Sequence, residues 1–105
     1  MNTGRGDGDA GSVFVAAGHP AFAGHFPGSP VLPGAVLLDE VLCELERSRG
    51  IDITGWRITT MKFLGRVLPG DELIVRHSAP EAGAIRFTVD GPRGPVAAGS
   101  LIDAG

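Results

Sequence analysis

From residue 34 to about 49 the chain carries one unbroken helical stretch, entered through Pro33 and stopped by Gly50. Most of that helix is apolar, and a helix of this kind needs cover on several sides. The rest of the chain reads as strands. Residues 12–17 form one before the helix, and 55–63, 72–79, 84–90 and 96–103 form four after it. The turns between them are short: Pro69-Gly70-Asp71, residues 80–83, and residues 91–95. Short turns favour antiparallel neighbours. In the segment 84–90, Ile85, Phe87 and Val89 alternate with Arg86, Thr88 and Asp90, the period of a half-buried strand. A curved antiparallel sheet wrapped around the single helix is the economical arrangement, an α+β fold.

Length and charge narrow the function. A chain of 105 residues holds one domain, and a domain this small often gains stability by oligomerising. The formal net charge of −3, without a basic run or interleaved aromatics, argues against nucleic acid as a partner. Cys43 is the only cysteine, so no intrachain disulfide can form, which fits a reducing cytoplasm. Arg5 is followed by no apolar run of the kind a secretory signal needs, and nothing approaches the ~20 residues of a membrane helix. Residues 1–12 are rich in Gly and Asp and read as a flexible leader to a single domain over 13–105. Arg5-Gly6-Asp7 within it is read as a chance tripeptide.

The chemistry concentrates in the stretch from His25 to Asp39. It runs His25-Phe26-Pro27-Gly28-Ser29-Pro30-Val31-Leu32-Pro33-Gly34 and then enters the helix. A histidine and a carboxylate on stiff backbone are the raw material of proton transfer. Asp39 has Ala35, Val36, Leu42 and Cys43 three and four positions away, so periodicity puts it against an apolar surface. Periodicity alone equally allows it to point outward along a helix edge. Glu40, Glu44 and Glu46 read instead as a solvated stripe near Arg47 and Arg49. Gly34 and Ala35 occupy the first helical turn, where backbone N–H groups have no intrahelical acceptor and the helix dipole adds positive charge. That is a place to hold a carbonyl oxygen gaining negative charge.

At these residues the chain resembles the FabZ/FabA-type 3-hydroxyacyl-[acyl-carrier-protein] dehydratases of the hot-dog fold. The family pattern H-F-x-G-x-P, then an apolar pair and P-G, stands here as residues 25–34, with an acid 14 residues after the histidine at Asp39. A second match, Met61-Lys62-Phe63 through Val67-Leu68-Pro69-Gly70-Asp71, looks like the family segment that opens the sheet after the helix. Together they cover roughly 13–103, and the context resembles the dehydratase-like proteins of aryl-polyene pigment pathways. The resemblance implies an antiparallel sheet around one central helix and a lyase of fatty-acid, polyene or polyketide-like biosynthesis. His25 would take the α-proton of a 3-hydroxyacyl thioester. Asp39, from the partner subunit, would protonate the departing hydroxyl. The N–H groups of Gly34 and Ala35 would polarise the carbonyl. Phe26 and Pro33 would border the substrate tunnel, and Arg66 would touch the carrier's phosphopantetheine.

The implied partners are acyl carrier protein and a second copy, in a homodimer or an oligomer of dimers. No cofactor or metal is implied. The acid here is Asp rather than the Glu common in short-chain members, and Cys43 stands where the family often has a Gln supporting the acid. Two alternatives stand beside it: a hot-dog acyl thioesterase, and a non-catalytic acyl-binding or heterodimer subunit, the latter kept open by Cys43 and the short body. The remaining residues read more plainly. His19 belongs to a loop, His77 to the surface, Cys43 to the core, and Trp56 packs a sheet edge.

Overall fold

The structure is a computed structural model that describes residues 9–15, 32–78 and 80–104. Strand β1 spans Asp9–Phe14, helix α1 Gly34–Arg49, β2 Trp56–Phe63, β3 Glu72–His77, β4 Ala84–Gly91 and β5 Gly94–Asp103. A short 3-10 turn, Ile53–Gly55, leads into β2. The five strands form one antiparallel sheet in the order β1-β3-β4-β5-β2. One helix against one five-stranded antiparallel sheet is the hot-dog architecture expected from the sequence.

The helix ends where its local chemistry dictates. Pro33 is the N-cap in extended conformation, and its carbonyl accepts from the N–H groups of Val36 and Leu37. Gly50 closes the helix in the left-handed region (φ 66°) and returns its N–H to the Glu46 carbonyl at 2.8 Å. Arg47 and Arg49 in the last turn complement the negative end of the dipole. Leu37, Val41 and Leu45 form the face buried against the sheet. They join a core built from alternate residues of β3, β4 and β5: Leu73 and Val75, then Ile85, Phe87 and Val89, then Ala97 and Leu101. The alternation read in 84–90 is therefore the core face of β4.

Strand β1 departs from the expectation in position. It starts at Asp9 and ends at Phe14, so residues 9–12, expected in the leader, belong to the sheet. Pairing explains the shift: Asp9 to Phe14 zip against His77 to Glu72 of β3, and the β3 partner sets the bounds. Residues 1–8 and His19 lie outside the described residues.

Glu44 is a second departure. It is 2 % exposed, on the buried face of α1 rather than on a solvated stripe. Its carboxylate accepts from Arg47 and from the Ser48 hydroxyl, so the burial is compensated. Gly11 of β1 makes the room, since a Cβ there would overlap the Glu44 carboxylate. His77 is also buried, at 3 % exposed, where the sequence suggested the surface. The Arg49 Nε donates to His77 Nδ1 at 2.9 Å and its Nη2 to the His77 carbonyl at 3.2 Å, tying the end of α1 to β3.

Candidate active site

The site is assembled where α1 begins. The Leu32 N–H donates to the Val67 carbonyl at 2.9 Å, which fastens the segment entering the helix to the loop after β2. The first intrahelical acceptor is the Pro33 carbonyl, and it takes the N–H groups of Val36 and Leu37. The N–H groups of Gly34 and Ala35 lie ahead of that ladder, at the positive end of the helix dipole.

Ala35, Asp39, Cys43 and Arg47 follow one another at four-residue spacing, and all four are exposed. Asp39 therefore lies on the same stripe as Ala35, one turn and roughly 6 Å further along the axis. Asp39 is exposed, between half-buried Val36 and Leu42, at the outward helix edge that periodicity also allowed. Cys43, expected in the core, is exposed on that stripe as well. The sheet covers only the Leu37–Val41–Leu45 face, and the stripe opposite is left open.

Beside the helix start, Phe63 ends β2 with its ring against Gly34. A Cβ at Gly34 would lie 3.0 Å from the Phe63 Cζ. Phe63 is 54 % exposed and its neighbour Leu64 57 %, an apolar pair open to solvent. The sequence reading did not single out Phe63, which stands 29 positions from Gly34 and meets it only in the folded chain.

The other expected site residues divide. Pro33 is at the helix entrance as expected. Arg66 is exposed and borders a cleft of ≈ 160 Å³ shared with Arg93, Gly94 and Pro95, and its carbonyl accepts from Arg93. His25 and Phe26 lie outside the described residues. Trp56 packs half-buried on the core at the start of β2, an edge strand of the sheet. Among the described residues no group of three or more His, Cys, Asp or Glu is placed to hold a metal. No helix of the described residues is long and apolar enough to cross a membrane.

One ion pair stiffens the frame beneath the site. Arg93, in the β4–β5 turn, donates to Asp71 Oδ1 at 3.2 Å, and Asp71 Oδ2 takes the Leu68 N–H at 2.8 Å. The Arg93 guanidinium holds the Asp71 carboxyl below its ordinary range, against a smaller opposing effect of burial. This bond ties the β4–β5 turn to the segment that anchors Leu32.

One helix against a five-stranded antiparallel sheet defines a hot-dog protein. The family model for ApeI-like proteins, described as ApeI dehydratase, matches residues 7–100, and the chain belongs to that family. Among curated relatives, the FabZ 3-hydroxyacyl-[acyl-carrier-protein] dehydratase of Ruminiclostridium cellulolyticum is 34 % identical over 91 residues, covering 73 % of this chain and 63 % of its own length. The FabZ of Acetivibrio thermocellus is 40 % identical over 67 residues, covering 56 % of this chain and 45 % of its own. The chain spans about half the length of the curated relatives it matches. In fold it is similar to the dehydratase heterocomplex ApeI:P from Xenorhabdus doucetiae, with a TM-score of 0.73 at 21 % identity over 96 % of this chain and 90 % of that one. The dehydratase domain of the CurF module of curacin polyketide synthase gives 0.74 at 16 %, over 97 % and 41 %.

Proposed function

We propose that the protein dehydrates 3-hydroxyacyl thioesters carried on acyl carrier protein, giving trans-2-enoyl thioesters and water. The observation that carries this reading is the helix start at Gly34 and Ala35 with an exposed carboxyl at Asp39 one turn beyond Ala35, in a chain of a dehydratase family. His25 removes the proton from the α-carbon. The electron pair of that C–H bond forms the α,β double bond as the β-carbon–oxygen bond breaks. Asp39 delivers a proton to the departing oxygen, which leaves as water. Charge that gathers on the thioester carbonyl oxygen is met by the Gly34 and Ala35 N–H groups, donors fixed before the reaction begins. The imidazole suits the base because it can accept a proton near neutral pH.

The reading includes a second chain. Asp39 is exposed in one protomer, and catalysis of this kind works where water is excluded. A second subunit over the Ala35–Asp39–Cys43 stripe supplies that cover and brings its own His25 to Asp39. The Xenorhabdus neighbour is a heterocomplex, so the proposal is a dimer, homomeric or with a related chain, acting in the cytoplasm. The test is to incubate the protein with 3-hydroxyacyl thioesters of several chain lengths, on carrier protein and on coenzyme A, and to follow enoyl absorbance. Enoyl product lost in His25→Ala and Asp39→Asn supports the assignment. No turnover with any substrate refutes it, and free thiol released without enoyl product indicates a thioesterase.

A further inference from the structure

We infer that Phe63 forms the apolar wall of the acyl-thioester subsite at the Gly34 end of α1, an inference that rests on the acyl-thioester reading above. Four observations lead there. The ring is held against Gly34, whose missing side chain creates its seat: a Cβ would lie 3.0, 3.1 and 3.4 Å from three ring atoms. The remainder of the ring is open, with Phe63 54 % exposed on the helix-facing side of β2. The backbone beneath it is fixed. Phe63 pairs with Ala97 of β5, and the N–H groups of Leu64 and Gly65 both donate to the Val96 carbonyl, at 2.7 and 3.1 Å. Gly65 permits that bend, since a Cβ there would lie 2.6 Å from the Pro95 carbonyl oxygen.

A ring so placed does two things for a bound thioester. It offers apolar surface to the carbons next to the carbonyl, and it displaces water from one flank of the two N–H donors. A hydrogen bond to the carbonyl then forms in a less polar environment, where it is stronger. The ring neither gives nor takes a proton, so its contribution is to binding and alignment.

The experiment compares wild type, Phe63→Leu and Phe63→Ala in two measurements. The first is steady-state dehydration of a short and a long 3-hydroxyacyl thioester. The second is equilibrium binding of an unreactive acyl thioester lacking the 3-hydroxyl. Phe63→Ala is expected to raise KM and Kd about tenfold while kcat stays within about twofold, the pattern of lost uniform binding. Phe63→Leu, which keeps apolar bulk, is expected to stay within about threefold of wild type. A purely structural role lowers the active fraction, and so kcat, with KM unchanged; that result overturns the inference. Unchanged KM and Kd in Phe63→Ala overturn it equally. Weakened thioester binding in a protein whose wild type shows no dehydration keeps the subsite and rejects the dehydratase chemistry. Turnover by wild type with Phe63→Ala unaltered does the reverse.

Discussion

Gly99 is a position where one methyl group should disturb the sheet. It lies on β5 opposite Phe87 of β4 and Met61 of β2, on the core side of the sheet. A Cβ at Gly99 would lie 2.6 Å from the Phe87 Cζ and 2.6 Å from the Thr60 carbonyl oxygen. Each gap must open by about 1 Å to reach ordinary van der Waals contact. Phe87 is 2 % exposed, so its ring is hemmed by the core, and the Thr60 carbonyl is backbone. Overpacking of this kind costs about 1–3 kcal/mol. Replacing glycine by alanine returns about 0.4–1 kcal/mol by restricting the unfolded chain. The net expectation for Gly99→Ala is a loss of about 1–2 kcal/mol, or about 5–15 °C in melting temperature for a domain of this size. Urea unfolding followed by the fluorescence of Trp56, the single tryptophan, measures it at fixed protein concentration. Gly55→Ala is the control: nothing lies within 4 Å of a Cβ there, so its midpoint should hold within about 0.5 kcal/mol. A Gly99→Ala midpoint equal to or above wild type would refute the reasoning, because the close approach of β2, β4 and β5 would then not exist.

Other perturbations test other parts of the account. Leu45 is fully buried on α1, so Leu45→Ala should destabilise by about 2–5 kcal/mol in the same urea titration. Asp71, held below its ordinary pKa by Arg93, contributes stability above the ordinary carboxylate pKa and loses it as pH falls through its folded value. Wild-type stability should therefore drop below about pH 4, and Asp71→Asn should start lower at pH 7 and lose less on acidification, as melts across pH will report. Asp39→Asn should lower kcat by about 10²–10⁴, read in steady-state dehydration of a 3-hydroxyacyl thioester.

Much of the fold was legible because local chemistry agreed with the tertiary answer. Gly50 stops α1 by taking a left-handed conformation, and Gly70 and Gly83 turn the chain with positive φ where turns were expected. The alternation of Ile85, Phe87 and Val89 needs no partner to be visible. The failures share a cause, which is that a neighbour decides. Asp9-Ala10-Gly11 has poor strand propensity, and only β3 recruits it. Glu44 falls seven residues after Leu37, on the buried stripe, but its charge concealed a position that Arg47, Ser48 and Gly11 jointly make tolerable. His77 follows the period of β3 inward after Leu73 and Val75, a signal that its polarity masked. At the site, the helix start at Gly34 and Ala35 could be read from local sequence. The seat of Phe63 on Gly34 could not, since it is a contact between residues far apart in the chain.

The central claim is that His25 of one chain and Asp39 of another form one proton-transfer pair. It is tested most directly by mixing two inactive variants, His25→Ala and Asp39→Asn, after co-refolding or co-expression. If the pair is shared between subunits, each mixed dimer holds one intact site and one doubly altered site. Random pairing then restores about a quarter of wild-type dehydratase activity. A mixture no more active than the separate variants, beside an active wild type, would contradict the claim.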